Sequence, residues 1–139
     1  MSNIIYSLID ISKTADGILS SSQSKLLCLY GDLGAGKTTL IKALVEKVGA
    51  AGSTNSPTFG LVHEYKDSKG NVVAYHIDCY RLKNAEEGLD IGREENLDAD
   101  CWVFVEWPDR IEDLVPALRT EIRLTASDHM TSKLEMENL

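Results

Sequence analysis

One junction constrains this chain most: an apolar run leads into a glycine-rich loop and then into a helical pattern. The run Leu26–Tyr30 is short and nearly continuously apolar, which is typical of a strand buried on both faces of a sheet. The loop GDLGAGKTT, residues 31–39, follows at once, and apolar residues recur at helical spacing from Thr38 to near Gly49. A strand, a loop and a helix in this order favour an α/β sheet.

The loop satisfies every specified position of the phosphate-binding pattern Gly-x-x-x-x-Gly-Lys-Ser/Thr, the P-loop, from Gly31 to Thr38. Gly31, Gly34 and Gly36 permit backbone angles that a Cβ would penalise, so that successive amide hydrogens can turn toward phosphate oxygens. We therefore expect ATP and magnesium as cofactors. The expected nucleotide-binding residues of the loop are Asp32, Leu33, Gly34, Ala35, Gly36, Lys37, Thr38 and Thr39.

Three side chains at the end of the loop have separate expected roles. Lys37 would reach the β- and γ-phosphates and is counted as catalytic, and the Thr38 hydroxyl would bind magnesium. Thr39, one residue further into the helix, would bond an α-phosphate oxygen.

Magnesium also needs a carboxylate near the end of a neighbouring strand, and two apolar runs supply one. VFVEW contains Glu106, which follows the four apolar residues 102–105, and VVAYHIDCYR contains Asp78. Both are expected to be metal-binding or catalytic, and Glu106 has the stronger claim because its run leads directly into it. Asp78 could instead hold a metal-bound water, orient the attacking water, or simply cap a turn.

Thr58 lies in the loop SPTF and is a candidate catalytic residue. A threonine there could sense the γ-phosphate as part of a switch, but Pro57 and its neighbours also fit an ordinary β-turn. The residues themselves favour neither interpretation.

The remaining pattern predicts a three-layer α/β fold of the P-loop NTPase type, with a mixed, mainly parallel sheet and antiparallel edge strands. Leu26–Tyr30 and Trp102–Glu106 would be its two central strands. The other predicted strands are Phe59–Tyr65, Val72–Ile77, Glu121–Ala126 and Lys133–Glu137, and the other predicted helices are Ser12–Leu19, Ala85–Leu89 and Asp109–Leu114.

Length and charge limit the organisation and the partners. The 139 residues fit a single domain, 1–139. A net charge of −8 opposes direct binding to nucleic acid, which depends on neutralising phosphates with Lys and Arg. The sequence shows neither a signal peptide nor a membrane span, so we expect a cytoplasmic protein without a membrane partner. Cys28, Cys79 and Cys101 lack metal-ligand spacing and are expected to be buried, reduced thiols.

Several segments together resemble the TsaE (YjeE) family, whose members are small bacterial ATPases of tRNA threonylcarbamoyladenosine synthesis. A P-loop alone would indicate only an NTPase, whereas the following combination, in this order and spacing, narrows the function. The segments are GDLGAGKTT at 31–39, SPTF at 56–59, HIDCYRL at 76–82, EEGLDIG at 86–92 and VEWPDR at 105–110.

The resemblance implies an ATPase that works with TsaB and TsaD, the pair that transfers threonylcarbamoyl to adenosine at position thirty-seven of ANN-decoding tRNAs. It implies that tRNA is met only indirectly. By the same resemblance Thr38, Glu106 and Asp78 belong to the magnesium site, and Thr58 to a switch loop. Trp107 would neighbour the nucleotide, and Thr14 would lie near the adenine.

Two other functions remain open from the residues. A small-molecule kinase shares the P-loop but usually has an arginine-bearing lid, and the five Arg residues here are not clustered. A nucleotide-dependent switch with negligible turnover is the second alternative, because hydrolysis by a P-loop protein without a supplied arginine can be very slow.

Overall fold

The computed structural model describes residues 2–32, 35–51, 62–80, 101–126 and 131–139, which contain two α-helices and one seven-stranded sheet. None of the helices in these ranges is long and apolar enough to cross a membrane. Two 3₁₀ segments, Leu8–Asp10 and Pro108–Leu114, accompany them. The helices are α1 Ile11–Ser21 and α2 Lys37–Lys47, and the strands are β1 Ser2–Ser7, β2 Leu26–Tyr30, β3 Val62–Lys66, β4 Val72–Asp78, β5 Trp102–Glu106, β6 Thr120–Ala126 and β7 Thr131–Asn138.

The sheet is mixed, with the order β1-β7-β6-β2-β5-β4-β3. The central pairs β6–β2, β2–β5 and β5–β4 are parallel, and the outer pairs β1–β7, β7–β6 and β4–β3 are antiparallel. The predicted class is confirmed, with β2 and β5 adjacent at the centre. Antiparallel strands lie at both edges of the sheet.

The central strands are buried on both faces, which explains their continuous apolar sequence. In β2, Leu27 and Leu29 face the core that α1 and α2 cover, whereas Leu26 and Cys28 face a second core. Ile111 of the 3₁₀ segment packs in that second core. Because side chains alternate along a strand, a strand between two cores has no polar face, and each buried leucine contributes roughly 1.5–3 kcal/mol.

Several predicted elements differ from the structure at their ends or in type. Strand β1 was not predicted, because its apolar residues are partly exposed and its partner β7 lies at the other end of the chain. The predicted helix over 109–114 is a 3₁₀ segment, kinked at Ile111. Residues 59–61 of one predicted strand and the predicted helix over 85–89 lie outside the described residues.

None of the three cysteines, all of which lie in the described ranges, forms a disulfide, and Cys28 and Cys79 are buried as predicted. Burial raises the pKa of both of these thiols to about 12, so neither is a thiolate at neutral pH. Cys101 is only partly buried, because it lies just before β5 at the end of the sheet away from the loop.

Candidate nucleotide-binding site

The glycine-rich loop leaves the end of β2 and enters α2, as the pattern predicts, and its two flanking glycines serve different purposes. Gly36 has φ +94° and immediately precedes the first turn of α2. A Cβ on Gly31 would come within 2.8 Å of the backbone oxygen of Leu124 in β6. Gly36 is therefore required for its left-handed backbone conformation, and Gly31 for the close approach of its backbone to β6.

Lys37 is buried, with 5% of its surface exposed, although it is charged. Its Nζ donates a hydrogen bond to the Gly31 carbonyl and lies 3.7 Å from the centre of the Trp107 ring. Burial lowers the pKa of Lys37, while the carboxylates of Glu106 and Asp78 oppose this shift. The ammonium is thus held inside the loop, in surroundings where a phosphate would be a strong partner.

Glu106, at the end of β5, forms hydrogen bonds both to the end of the loop and to the neighbouring strand β4. The Thr38 hydroxyl donates to Glu106 Oε1 at 3.0 Å, and His76 Nε2 lies 2.6 Å from Glu106 Oε2. Burial alone would raise the pKa of Glu106, which is 3% exposed, but hydrogen bonds from His76 and Thr38 and the charge of Lys37 keep that pKa below its usual value. Glu106 is therefore an ionised carboxylate at neutral pH.

Asp78 lies beside Glu106, because the parallel register of β4 and β5 pairs these two residues. Its Oδ1 accepts a hydrogen bond from the backbone N–H of Tyr80 at 3.0 Å. This is the turn role that an aspartate after a strand commonly has. Both carboxylates thus end neighbouring strands on the same side of the sheet.

Trp107 follows Glu106 in a left-handed conformation, with φ 57° and ψ 49°, which non-glycine residues seldom adopt. The turn brings its ring against Lys37 and against Tyr80, whose ring centre is 5.0 Å away. Strained backbone of this kind is often found at functional sites. Trp107 therefore contacts Lys37 of the loop, and its place beside a nucleotide stays a prediction.

A cavity of about 510 Å³ adjoins the start of the loop, between the ends of β2 and β6. Its volume is within the usual range for small-molecule sites. The lining residues are Tyr30, Gly31, Asp32, Ala35 and Arg123 to Ala126.

The remaining predicted site residues include four that the structure describes and three that it does not. The Thr14 hydroxyl donates to the Asp10 carbonyl within α1 at 3.0 Å, and its place near adenine stays a prediction. Asp32 and Thr39 are exposed, on the loop and in the first turn of α2, and Ala35 is buried. Leu33, Gly34 and Thr58 lie outside the described residues.

Sequence reasoning gave no role to His76, which directly contacts Glu106. A signal for it exists, since His76 and Asp78 are two residues apart in β4 and must point to the same side of the sheet. His63 of β3 stacks on His76, with ring centres 5.5 Å apart.

Fold and site together define a protein of the P-loop NTPase fold. The crystal structure of YdiB from Bacillus subtilis has the same fold, with a TM-score of 0.73 and 24% identity over 99% of this chain and 86% of that one. The family model described as "Threonylcarbamoyl adenosine biosynthesis protein TsaE" matches residues 7–134. The chain therefore belongs to the TsaE family.

Curated relatives from several bacteria carry the name tRNA threonylcarbamoyladenosine biosynthesis protein TsaE. The relative from Bacillus subtilis is 41% identical over 97 residues, which is 70% of this chain and 59% of that protein. The relative from Haemophilus influenzae is 36% identical over 106 residues, 75% of this chain and 66% of that protein. The chain thus spans about three fifths to two thirds of the length of these relatives.

Proposed function

We propose that this protein is a magnesium-dependent ATPase required for the threonylcarbamoyladenosine modification of tRNA. The observation that carries the proposal is the meeting of Lys37, Thr38 and Glu106 at the end of the loop. Lys37 supplies positive charge beside the loop amides, and the other two supply oxygen ligands for a cation. The names of the relatives support the pathway.

The residues present fit magnesium. Adjacent ligands of an octahedral magnesium ion lie about 2.9 Å apart, given metal–oxygen distances of about 2.05 Å. Thr38 Oγ1 and Glu106 Oε1 are 3.0 Å apart, so both oxygens can hold one ion after small movements. Magnesium, when bound, neutralises charge that builds on the phosphates. Asp78, in register with Glu106, would hold a metal-bound water or orient the attacking water.

The loop residues would do the rest of the binding. The first amides of α2 would bond phosphate oxygens at the positive end of the helix, and Lys37 would bridge the β- and γ-phosphates. Thr39 would bond the α-phosphate, and Thr14 would lie near the adenine. Thr58 would report the γ-phosphate to a switch loop, as the family resemblance implies.

We also propose TsaB and TsaD as the protein partners. In that complex, ATP hydrolysis would drive the cycle in which the pair modifies adenosine at position thirty-seven of ANN-decoding tRNAs. The net charge of −8 supports a subunit that docks on protein and meets tRNA only indirectly. Residues 1–139 would act in the cytoplasm as one P-loop domain, in which the strands nearest the two ends, β1 and β7, pair with each other.

The test is ATP hydrolysis by the purified protein, alone and with TsaB–TsaD. Wild type is compared with Lys37→Ala and Glu106→Ala, and with the controls Lys42→Ala and Glu46→Ala, whose side chains are exposed on α2. We expect turnover that rises with the partners, falls about 100-fold or more in the two site variants and is kept in the controls. Tight ATP binding without turnover in any mixture would instead indicate a nucleotide switch.

A further inference from the structure

His76 is a buried polar residue, 7% exposed, to which the proposed function gives no role. Its Nε2 lies 2.6 Å from Glu106 Oε2, and its ring stacks on that of His63 at an interplanar angle of 23°. A buried polar group of this kind stabilises one arrangement of its neighbours, because any other arrangement leaves a polar atom without a partner.

The hydrogen bond has a definite direction. An ionised carboxylate has no hydrogen to donate, so Nε2–H of His76 donates and Glu106 accepts. The Thr38 hydroxyl donates to the other carboxylate oxygen at 3.0 Å. Oε2, which His76 contacts, also lies 3.3 Å from the Thr38 hydroxyl, so Thr38 is shared between both oxygens whereas His76 bonds one. Rotation of the Glu106 carboxylate would therefore lengthen the short, charge-assisted bond to His76.

The strands hold His76 in this place. β3 pairs His63 with His76, and β4 pairs Asp78 with Glu106 in the neighbouring strand β5. His76 is therefore diagonal to Glu106 on the same side of the sheet, and His63 packs against the side of His76 away from Glu106. The imidazole cannot swing away from Glu106 without disturbing this stack.

We propose that His76 is a positioning residue, which holds the Glu106 carboxylate toward Thr38 and thereby raises the affinity of the site for ATP with magnesium. The inference rests on the proposed function. Residues that orient a metal ligand through one hydrogen bond typically change metal affinity by about 10- to 100-fold when they are removed. ATP binding without magnesium should depend on the loop and not on His76.

The experiment measures the ATP dissociation constant by calorimetry, at one pH, with EDTA and with excess magnesium. The ratio of the two constants gives the enhancement by magnesium. His76→Phe keeps the ring and its stack on His63 but removes the donor, and we expect the enhancement to fall about 10-fold or more with the EDTA value unchanged. His63→Phe is the matched control, because it changes the stacked ring and leaves the bond to Glu106.

A second pair of variants serves if His76→Phe does not fold. In His76→Gln the amide nitrogen can reach the position of Nε2, whereas in His76→Asn it is too short. We expect Gln to restore most of the enhancement and Asn to lose it. The inference about His76, but not the proposed function, would be overturned if magnesium enhanced ATP binding equally in wild type and His76→Phe. The same holds if His76→Gln and His76→Asn lost the enhancement equally. A wild type that does not bind ATP in either condition would overturn the proposed function as well.

Discussion

Alanine at Gly31 and alanine at Gly36 should have different effects, although both glycines belong to one loop. At Gly36 an added Cβ has open space, with Ser132 Oγ its nearest neighbour at 3.9 Å, and only the left-handed backbone at φ +94° opposes it. Such a conformation costs an ordinary residue about 1–2 kcal/mol. We expect Gly36→Ala to fold with that modest loss of stability and to bind ATP poorly, because its methyl group adjoins the phosphate-binding amides.

At Gly31 the same methyl group meets the backbone of β6. Its Cβ would be 2.8 Å from the Leu124 oxygen and 3.2 Å from the Ala35 Cβ, with φ at +156°. Leu124 cannot retreat easily, since β6 is paired with β2 on one side and β7 on the other. Forced contacts in a packed interior cost about 1–3 kcal/mol, and these add to the backbone strain. We therefore expect Gly31→Ala to lower the free energy of unfolding by about 2–5 kcal/mol, the sum of both costs.

Urea unfolding of both variants, followed by circular dichroism, measures the difference. Each variant exchanges glycine for alanine, so the effect on the unfolded chain is similar and largely cancels in the comparison. A Gly31→Ala variant as stable as Gly36→Ala would refute the reasoning, because the contact with Leu124 would then not reduce stability.

Two further predictions concern the thiols and Trp107. At a pH of about 8 a thiol reagent should label Cys101 first, and Cys28 and Cys79 only on unfolding. The reason is that the thiolate is the reactive form and burial raises the pKa of Cys28 and Cys79 to about 12. Fast labelling of all three cysteines in the folded protein would contradict this prediction. ATP should change the tryptophan fluorescence, because Lys37 leaves the Trp107 ring to meet phosphate. The change should vanish in Trp107→Phe and persist in Trp102→Phe, and the reverse result would exclude Trp107 as the reporter.

Most of the sheet could be predicted from the sequence, because a strand buried on both faces leaves a continuous apolar run. β2 and β5 have their predicted bounds, and their central positions follow from that pattern, whereas their parallel pairing is seen only in the sheet. β1 could not be predicted, since an edge strand with partly exposed Ile4 and Ile5 depends on pairing with β7 at the far end of the chain. The 3₁₀ segment over 108–114 likewise follows from packing against the second core.

For the site, the sequence alone determined the loop, because a phosphate-binding turn requires glycines, a lysine and a threonine at fixed spacing within nine residues. It also indicated two strand-ending carboxylates without distinguishing their contacts. Only the tertiary structure decided that Glu106 meets Thr38, 68 positions away, and His76, 30 positions away, while Asp78 bonds its own turn. The physical reason is strand register: which side chains meet across a sheet depends on how separate strands align, and no local pattern encodes that alignment.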